Sequence, residues 1–315
     1  MRRTGGDCTL NVTGATDGRA NLHIWRTGES YFRQKGPVLL KEWTNLKFSL
    51  LPYPPGRPIV HHDVRQRLPF ADDTFDSVYA LHIIEHLTPE EAKRFLSEVR
   101  RVLRDDGIFR ISTPDLESAV RAYLQRLEEY IREPTERNLV KYDWAVLELL
   151  DQMVRDQSGG LMVETIKCEH YDADYAHERY GDVFDEFYRP SLPRNKALAR
   201  AQPRQTLWER LSSKSPADIP RAIYWKLQDI VYGWLQKWKS HQLGGDPRKT
   251  RESNLWTYDR LSLRLLLAEQ GFTNFSVKNH AESDIIGWER YNLDQSTFGD
   301  HAIEPSVYVE ARKRP

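Results

Sequence analysis

Several polar residues stand directly after apolar, strand-like runs, where their side chains could do chemistry. His82 follows Phe75 to Leu81. An imidazole titrates near neutral pH and can take the proton from a hydroxyl or amine during group transfer. Its plainer role is a hydrogen bond to neighbouring backbone. Glu85-His86 follows at once and reads as a loop pair that bonds a nearby loop and shapes the turn. Asp115 comes after a later apolar run, where it either orients a substrate or caps the next helix. Asp63 ends the first apolar run of this block and offers a carboxylate acceptor. Cys168, Glu169, His170, Asp174 and His177 cluster elsewhere, and His170, Asp174 and His177 would share one helical face. Their spacing matches no closed zinc site, so a polar surface is expected there and no metal.

The elements that must position these groups are legible between His61 and Glu117. A short strand ends in Asp63, and a second runs from Phe75 to Leu81. Thr88-Pro89-Glu90-Glu91 is a capping box with proline at the first helical position. Ala92, Phe95, Leu96, Val99, Val102 and Leu103 repeat at helical spacing, with Arg100, Arg101 and Arg104 near the C-terminal end. Asp105-Asp106-Gly107 turns the chain into a strand over Ile108 to Ser112, which leads to Thr113-Pro114-Asp115. A helix between strands with short loops is a right-handed crossover, so the strands are expected to be parallel. Their C-terminal ends then share one edge, where open α/β sheets bind ligands. Asp63 and His82 are expected to face one crevice there, above neighbouring strands.

This block resembles the class I S-adenosylmethionine-dependent methyltransferases, in particular the type 11-like bacterial group. The likeness is carried by His62-Asp63-Val64-Arg65 with Leu68-Pro69-Phe70, Phe75 to Tyr79, Glu85-His86-Leu87, and Arg101-Val102-Leu103 with Gly107. Trp256 to Arg260, Ser262 to Leu266 and Gly271-Phe272 resemble the family's last helix and late strands. The resemblance covers roughly residues 40–125 and 252–312. It implies S-adenosylmethionine as cofactor, with Asp63 and Val64 on its adenine side and Ala80, Leu81 and His82 beside the methyl group. It also implies a Gly-rich loop after the first strand, and the sequence departs from it there. Of two degenerate candidates, Leu22 to Glu29, with Gly28, is better placed than Leu10 to Gly18. In the second strand, Thr44 to Phe48, Lys47 stands about where the family has an acidic residue for the ribose.

Composition sets the wider frame. The chain has 315 residues, with 46 basic and 46 acidic side chains, so no net charge argues for nucleic acid. Two cysteines make no disulfide framework, no apolar run approaches the ~18 residues of a membrane span, and the cytoplasm is the expected setting. The expected fold is α/β: a doubly wound, mostly parallel Rossmann-like methyltransferase sheet with a large helical insertion after the fifth strand. Residues 1–118 and 253–315 form its two parts, and residues 119–252 form the insertion or lid. Leu116, Val120, Tyr123, Leu124 and Leu127 predict the buried face of one inserted helix, and Val140, Trp144, Leu147, Leu150 and Val154 that of another. Residues 189–220 read as a loop. Residues 219–239 carry a broad apolar stripe with several tryptophans, read first as internal packing and second as weak contact with a membrane surface.

The expected function is methyl transfer to oxygen or nitrogen of a small molecule or saccharide, with His82 and Asp115 as catalytic candidates. The alternative is a non-catalytic binding or assembly module whose cofactor space is filled by side chains such as Trp25 or Phe32. A nicotinamide-dependent dehydrogenase fits less well, because G-x-G-x-x-G is absent. The acceptor and the oligomeric state are not readable from these residues.

Overall fold

The computed structural model describes residues 19–25, 43–48, 59–157, 159–181, 184, 242, 246–291, 294 and 305–314. Gly28, Phe32, the Leu10 to Gly18 candidate and residues 189–239 lie outside them. Seven strands form one sheet: β1 Asn21–Trp25, β2 Thr44–Phe48, β3 Ile59–His62, β4 Phe75–Leu81, β5 Leu103–Pro114, β6 Phe272–Lys278 and β7 Ser306–Lys313. Their order is β3-β2-β1-β4-β5-β7-β6. Neighbours among the first five are parallel, and β7 runs antiparallel to both β5 and β6. The chain therefore winds outward from β1 in one direction and from β4 in the other, which puts a topological switch point between these two strands. The fold is the expected mostly parallel α/β sheet.

The helix α1, Pro89–Val102, joins β4 to β5. Thr88 Oγ1 accepts from the Glu91 amide while the Glu91 carboxylate accepts from the Thr88 amide, closing the capping box. Ala92, Phe95, Leu96, Val99 and Val102 are buried against the sheet, each of the larger ones contributing about 1.5–3 kcal/mol. The turn after α1 differs from expectation. Leu103 already pairs with Phe75, and β5 spans Leu103–Pro114 with a register shift opposite Phe75 and Ser77. The left-handed residue is Asp106, φ 62°. Gly107 is needed for space, because a Cβ there would lie 2.8 Å from the Arg104 carbonyl oxygen.

Strand alternation sorts the sheet into two faces. Val78, Ala80, Phe109, Ile111, Val307 and Val309 belong to the main core with α1. Tyr79, Leu81 and Ile108 pack on the other face with Trp43, Ile285 and Trp288. That second face also buries an ionic cluster. Arg110 donates to Asp294 Oδ2 at 2.7 Å and Glu310 Oε1 at 2.8 Å and lies 4.4 Å from the Trp288 ring centre. The Tyr79 hydroxyl donates to Asp294, and the His23 ring stacks on Tyr79 at 5.3 Å.

Among the described residues, β5 is followed by the helices α2 Leu116–Arg132, α3 Glu136–Val154, α4 Gly160–Lys167 and α5 Ala173–Tyr180. They close on a core of their own, built from Trp144, Met162, Ile166, Tyr175, Ala176, Tyr180 and Phe184. The buried face of α2 is not the predicted one. Ala122 and Arg126 are buried, while Leu124 is 48% exposed. In α3 Trp144 is buried as expected, but Leu150 and Val154 are exposed. Apolar periodicity marks a stripe without saying which stripe meets a partner; here Arg126 packs its guanidinium on the Tyr175 ring at 4.6 Å. The helix α6, Arg260–Glu269, then returns to the main core. It is capped by Asp259 and closed by Gly271 at φ 83°, leading into β6.

Candidate functional site

The C-terminal ends of the parallel strands share one edge, since β3 ends beside β2, β2 beside β1, and β1 beside β4. Asp63 follows β3 and His82 follows β4, so both occupy this edge. They are not on neighbouring strands, as expected from the sequence; β2 and β1 lie between. Three strand spacings of about 4.8 Å separate them by roughly 14 Å.

His82 sits in the left-handed region at φ 47°, and its amide donates to the Ser112 carbonyl at 3.1 Å. A non-glycine residue held there stores strain of a kind that gathers at functional sites. The twist turns the imidazole into a chain of hydrogen bonds. Nδ1 lies 3.0 Å from Glu85 Oε1, and Nε2 lies 3.2 Å from Ser306 Oγ. Glu85 is 2% exposed, and its other oxygen accepts from Thr113 Oγ1 at 3.2 Å. Burial pushes this carboxyl pKa up, but the His82 hydrogen bond and the charges of His82 and His86 outweigh that and hold it below the usual range. Glu85 is thus an anion at neutral pH, and as an acceptor it keeps a proton on His82 Nδ1, so that in the neutral ring the lone pair is on Nε2.

The backbone reading of Glu85-His86 is also realised. The Glu85 carbonyl accepts from Leu255 and Trp256, and His86 Nδ1 lies 3.3 Å from the Ser253 carbonyl oxygen. The pair therefore pins the segment entering the last part of the fold. Sequence reasoning missed the role of the Glu85 carboxylate, although its i, i+3 spacing from His82 was a usable signal. It missed Ser306 altogether, because its contact spans most of the chain and no local pattern marks it.

Asp115 caps α2 by accepting from the Glu117 amide at 3.0 Å, and burial raises its carboxyl pKa. It has no hydrogen bond to the His82 chain. Asp63 accepts from Arg65 through Nε at 2.8 Å and a terminal nitrogen at 2.5 Å. Burial raises its pKa, yet the Arg65 contacts prevail and lower it. A carboxylate has about four lone-pair sites, so Asp63 retains acceptor capacity for a ligand N–H or O–H. The Val64 and Ala80 side chains lie in the main core, and Leu81 lies in the cluster on the other face. Ala80 pairs on both sides, with Ile24 and Ile111, so its backbone is committed to the ladder. Lys47 is half-buried in β2, opposite His61. His170 lies 3.7 Å from Asp143 and Asp174 pairs with Arg137 at 2.8 Å. Among the described residues no three His, Cys, Asp or Glu side chains form a metal-ligand group.

Residues 44–111, which hold Asp63, His82 and Glu85, match the family described as a methyltransferase domain. Over this stretch the chain is similar to the methyltransferase-domain family. Solved structures show weak similarity to the whole. A methyltransferase of Methanosarcina mazei described as SAM-dependent is 12% identical, over 94% of this chain and 92% of that one, with a TM-score of 0.34. A SAM-dependent methyltransferase of Thermotoga maritima, described as a possible histamine N-methyltransferase, is 12% identical over 94% and 82%, with a TM-score of 0.33. A Bordetella parapertussis protein, described as a possible exported protein, is 11% identical over 82% of this chain, with a TM-score of 0.27, and this chain spans 45% of its length. No curated protein matches the chain. Among the described residues, no helix is long and apolar enough to cross a membrane.

Proposed function

We propose that the methyltransferase domain moves a methyl group from S-adenosylmethionine to a hydroxyl or amine of a small molecule or saccharide, with His82 as general base. The observation that carries this reading is the buried Glu85 carboxylate on His82 Nδ1, at the C-terminal edge of β4. S-adenosylmethionine, when bound, supplies a methyl on a sulfonium that departs as a neutral thioether. Asp63 fits the adenosine end: it is anionic, sits on the same edge and has acceptor sites to spare. Leu68 and Phe70, a few residues along the chain, are buried in the main core.

The acceptor hydroxyl takes the place of the Ser306 hydroxyl on His82 Nε2. The proton released from the acceptor would pass to Nε2 of His82, and Glu85 would stabilise the imidazolium that results. Glu85 is a positioning residue, since it touches only the base. Asp115 serves as a helix cap. The cytoplasmic setting and the absence of nucleic acid among its partners belong to this reading.

Calorimetry with S-adenosylmethionine and its demethylated product tests it. Saturable binding, weakened about tenfold by Asp63→Ala, is expected for the loss of one charged hydrogen bond. No heat and no thermal shift at millimolar ligand would leave the non-catalytic binding module as the better account.

A further inference from the structure

A cavity of about 410 Å³ opens beside the insertion, between α2, α5, the start of α6 and the β6–β7 end of the sheet. It is distinct from the His82 chain. Val307 lines the cavity and belongs to the main core, whereas the neighbouring Ser306 turns its hydroxyl to His82. None of the residues lining the cavity belongs to the His82–Glu85–Thr113–Ser306 chain.

Two buried donors on the cavity wall lack a partner among the described residues. Arg126 is 7% exposed, with its guanidinium laid on the Tyr175 ring. One of its terminal nitrogens donates to Glu129 at 2.8 Å, while Nε bonds nothing. Tyr175 is 1% exposed, and its hydroxyl is also unbonded. Burial and the nearby Glu148 push the phenol pKa up to about 12, so at neutral pH this hydroxyl is a donor. A buried donor left unpaired costs about 1–3 kcal/mol, and two of them on one wall call for an acceptor.

The charges around them leave room for a negative one. Glu117 is shared by Arg121 at 2.7 Å and Arg260 at 2.9 Å. The Asp115 carboxyl has a raised pKa and spends its oxygen on the α2 cap. Arg179 is paired with Glu148 and also donates to Ser118 Oγ at 3.1 Å. Glu178 is the remaining acid on the wall, and it is exposed. The acids of the wall are thus engaged or at the rim, and the unmet groups are donors.

We infer that this cavity binds a small oxyanion, a carboxylate or phosphate group, through Arg126 and Tyr175. The inference does not depend on methyl transfer, so it is tested without cofactor. Titration calorimetry of the full chain uses inorganic phosphate in one arm and succinate in the other, which tells a phosphoryl ligand from a carboxylate one. Saturable binding of either probe is expected, at least tenfold weaker in Arg126→Met and several-fold weaker in Tyr175→Phe. Arg132→Met, at the exposed end of the same helix, serves as the control and leaves it unchanged. Tyr175→Phe removes only an oxygen, so it reads the site even where Arg126→Met unfolds the insertion. Failure of both probes to saturate, or equal affinity in wild type and Tyr175→Phe, overturns the inference.

Discussion

Glu85 holds Nδ1 of His82 at 3.0 Å, three residues along the chain, across the turn that closes β4. His82 pays for this alignment with a left-handed backbone, and Glu85 with full burial. Removing either group should therefore affect chemistry more than cofactor binding. His82→Gln is expected to lower the methylation rate by about 10²–10⁴-fold, the usual worth of a general base. Glu85→Gln should lower it less and move the alkaline-side plateau of the pH–rate profile. Unchanged rates in His82→Gln, measured by transfer of a labelled methyl group, would remove it from the mechanism.

Acid sensitivity should be traceable to His23. Burial lowers its pKa from 6.5 to about 3, so the folded state keeps this ring neutral. The unfolded chain takes up the proton first as pH falls. The contribution to stability is complete above pH 6.5 and is lost as pH drops toward 3, by an amount on the order of a few kcal/mol. His23→Gln should flatten the fall of melting temperature between pH 6.5 and 4. Parallel curves for the two proteins count against this assignment.

The cluster on the second face makes a sharper stability prediction. Arg110→Met leaves Asp294 and Glu310 buried together without their cation. Breaking a buried pair from one side costs about 3–5 kcal/mol. Urea unfolding should show that loss, and a change under 1 kcal/mol would mean the carboxylates find other partners.

The insertion should melt as its own unit. Its core around Trp144 shares no residue with the main one. Trp144→Ala should cost about 3–5 kcal/mol locally. Amide exchange should then speed up across α3 to α5, with β4 and α1 still protected. Uniform acceleration over the whole chain would show a single cooperative fold instead.

Local signals made much of this fold readable. The Thr88 capping box, the α1 stripe and the Asp259 cap all act within a few residues, so sequence alone reports them. The Phe75–Leu81 strand was equally plain, because it ends in the apolar run Val78 to Leu81, which is buried on both faces. What escaped was long-range. Ser306 meets His82 across 224 positions, and Asp294 meets Arg110 across 184. No window of residues reveals such pairs. The buried face of α2 escaped for another reason: its contact is made by an arginine stem and a tyrosine ring, which a search for apolar stripes passes over.

The placement of β7 sets an order of assembly. This strand follows β6 in sequence, yet it fills the gap between β5 and β6. During synthesis, every residue from 115 to 305 must emerge before that gap can close. Pairings so distant in sequence close slowly, because a large loop entropy is spent first. Ser306 arrives with that strand, so one hydrogen-bond partner of the His82 ring is delivered only when the gap closes.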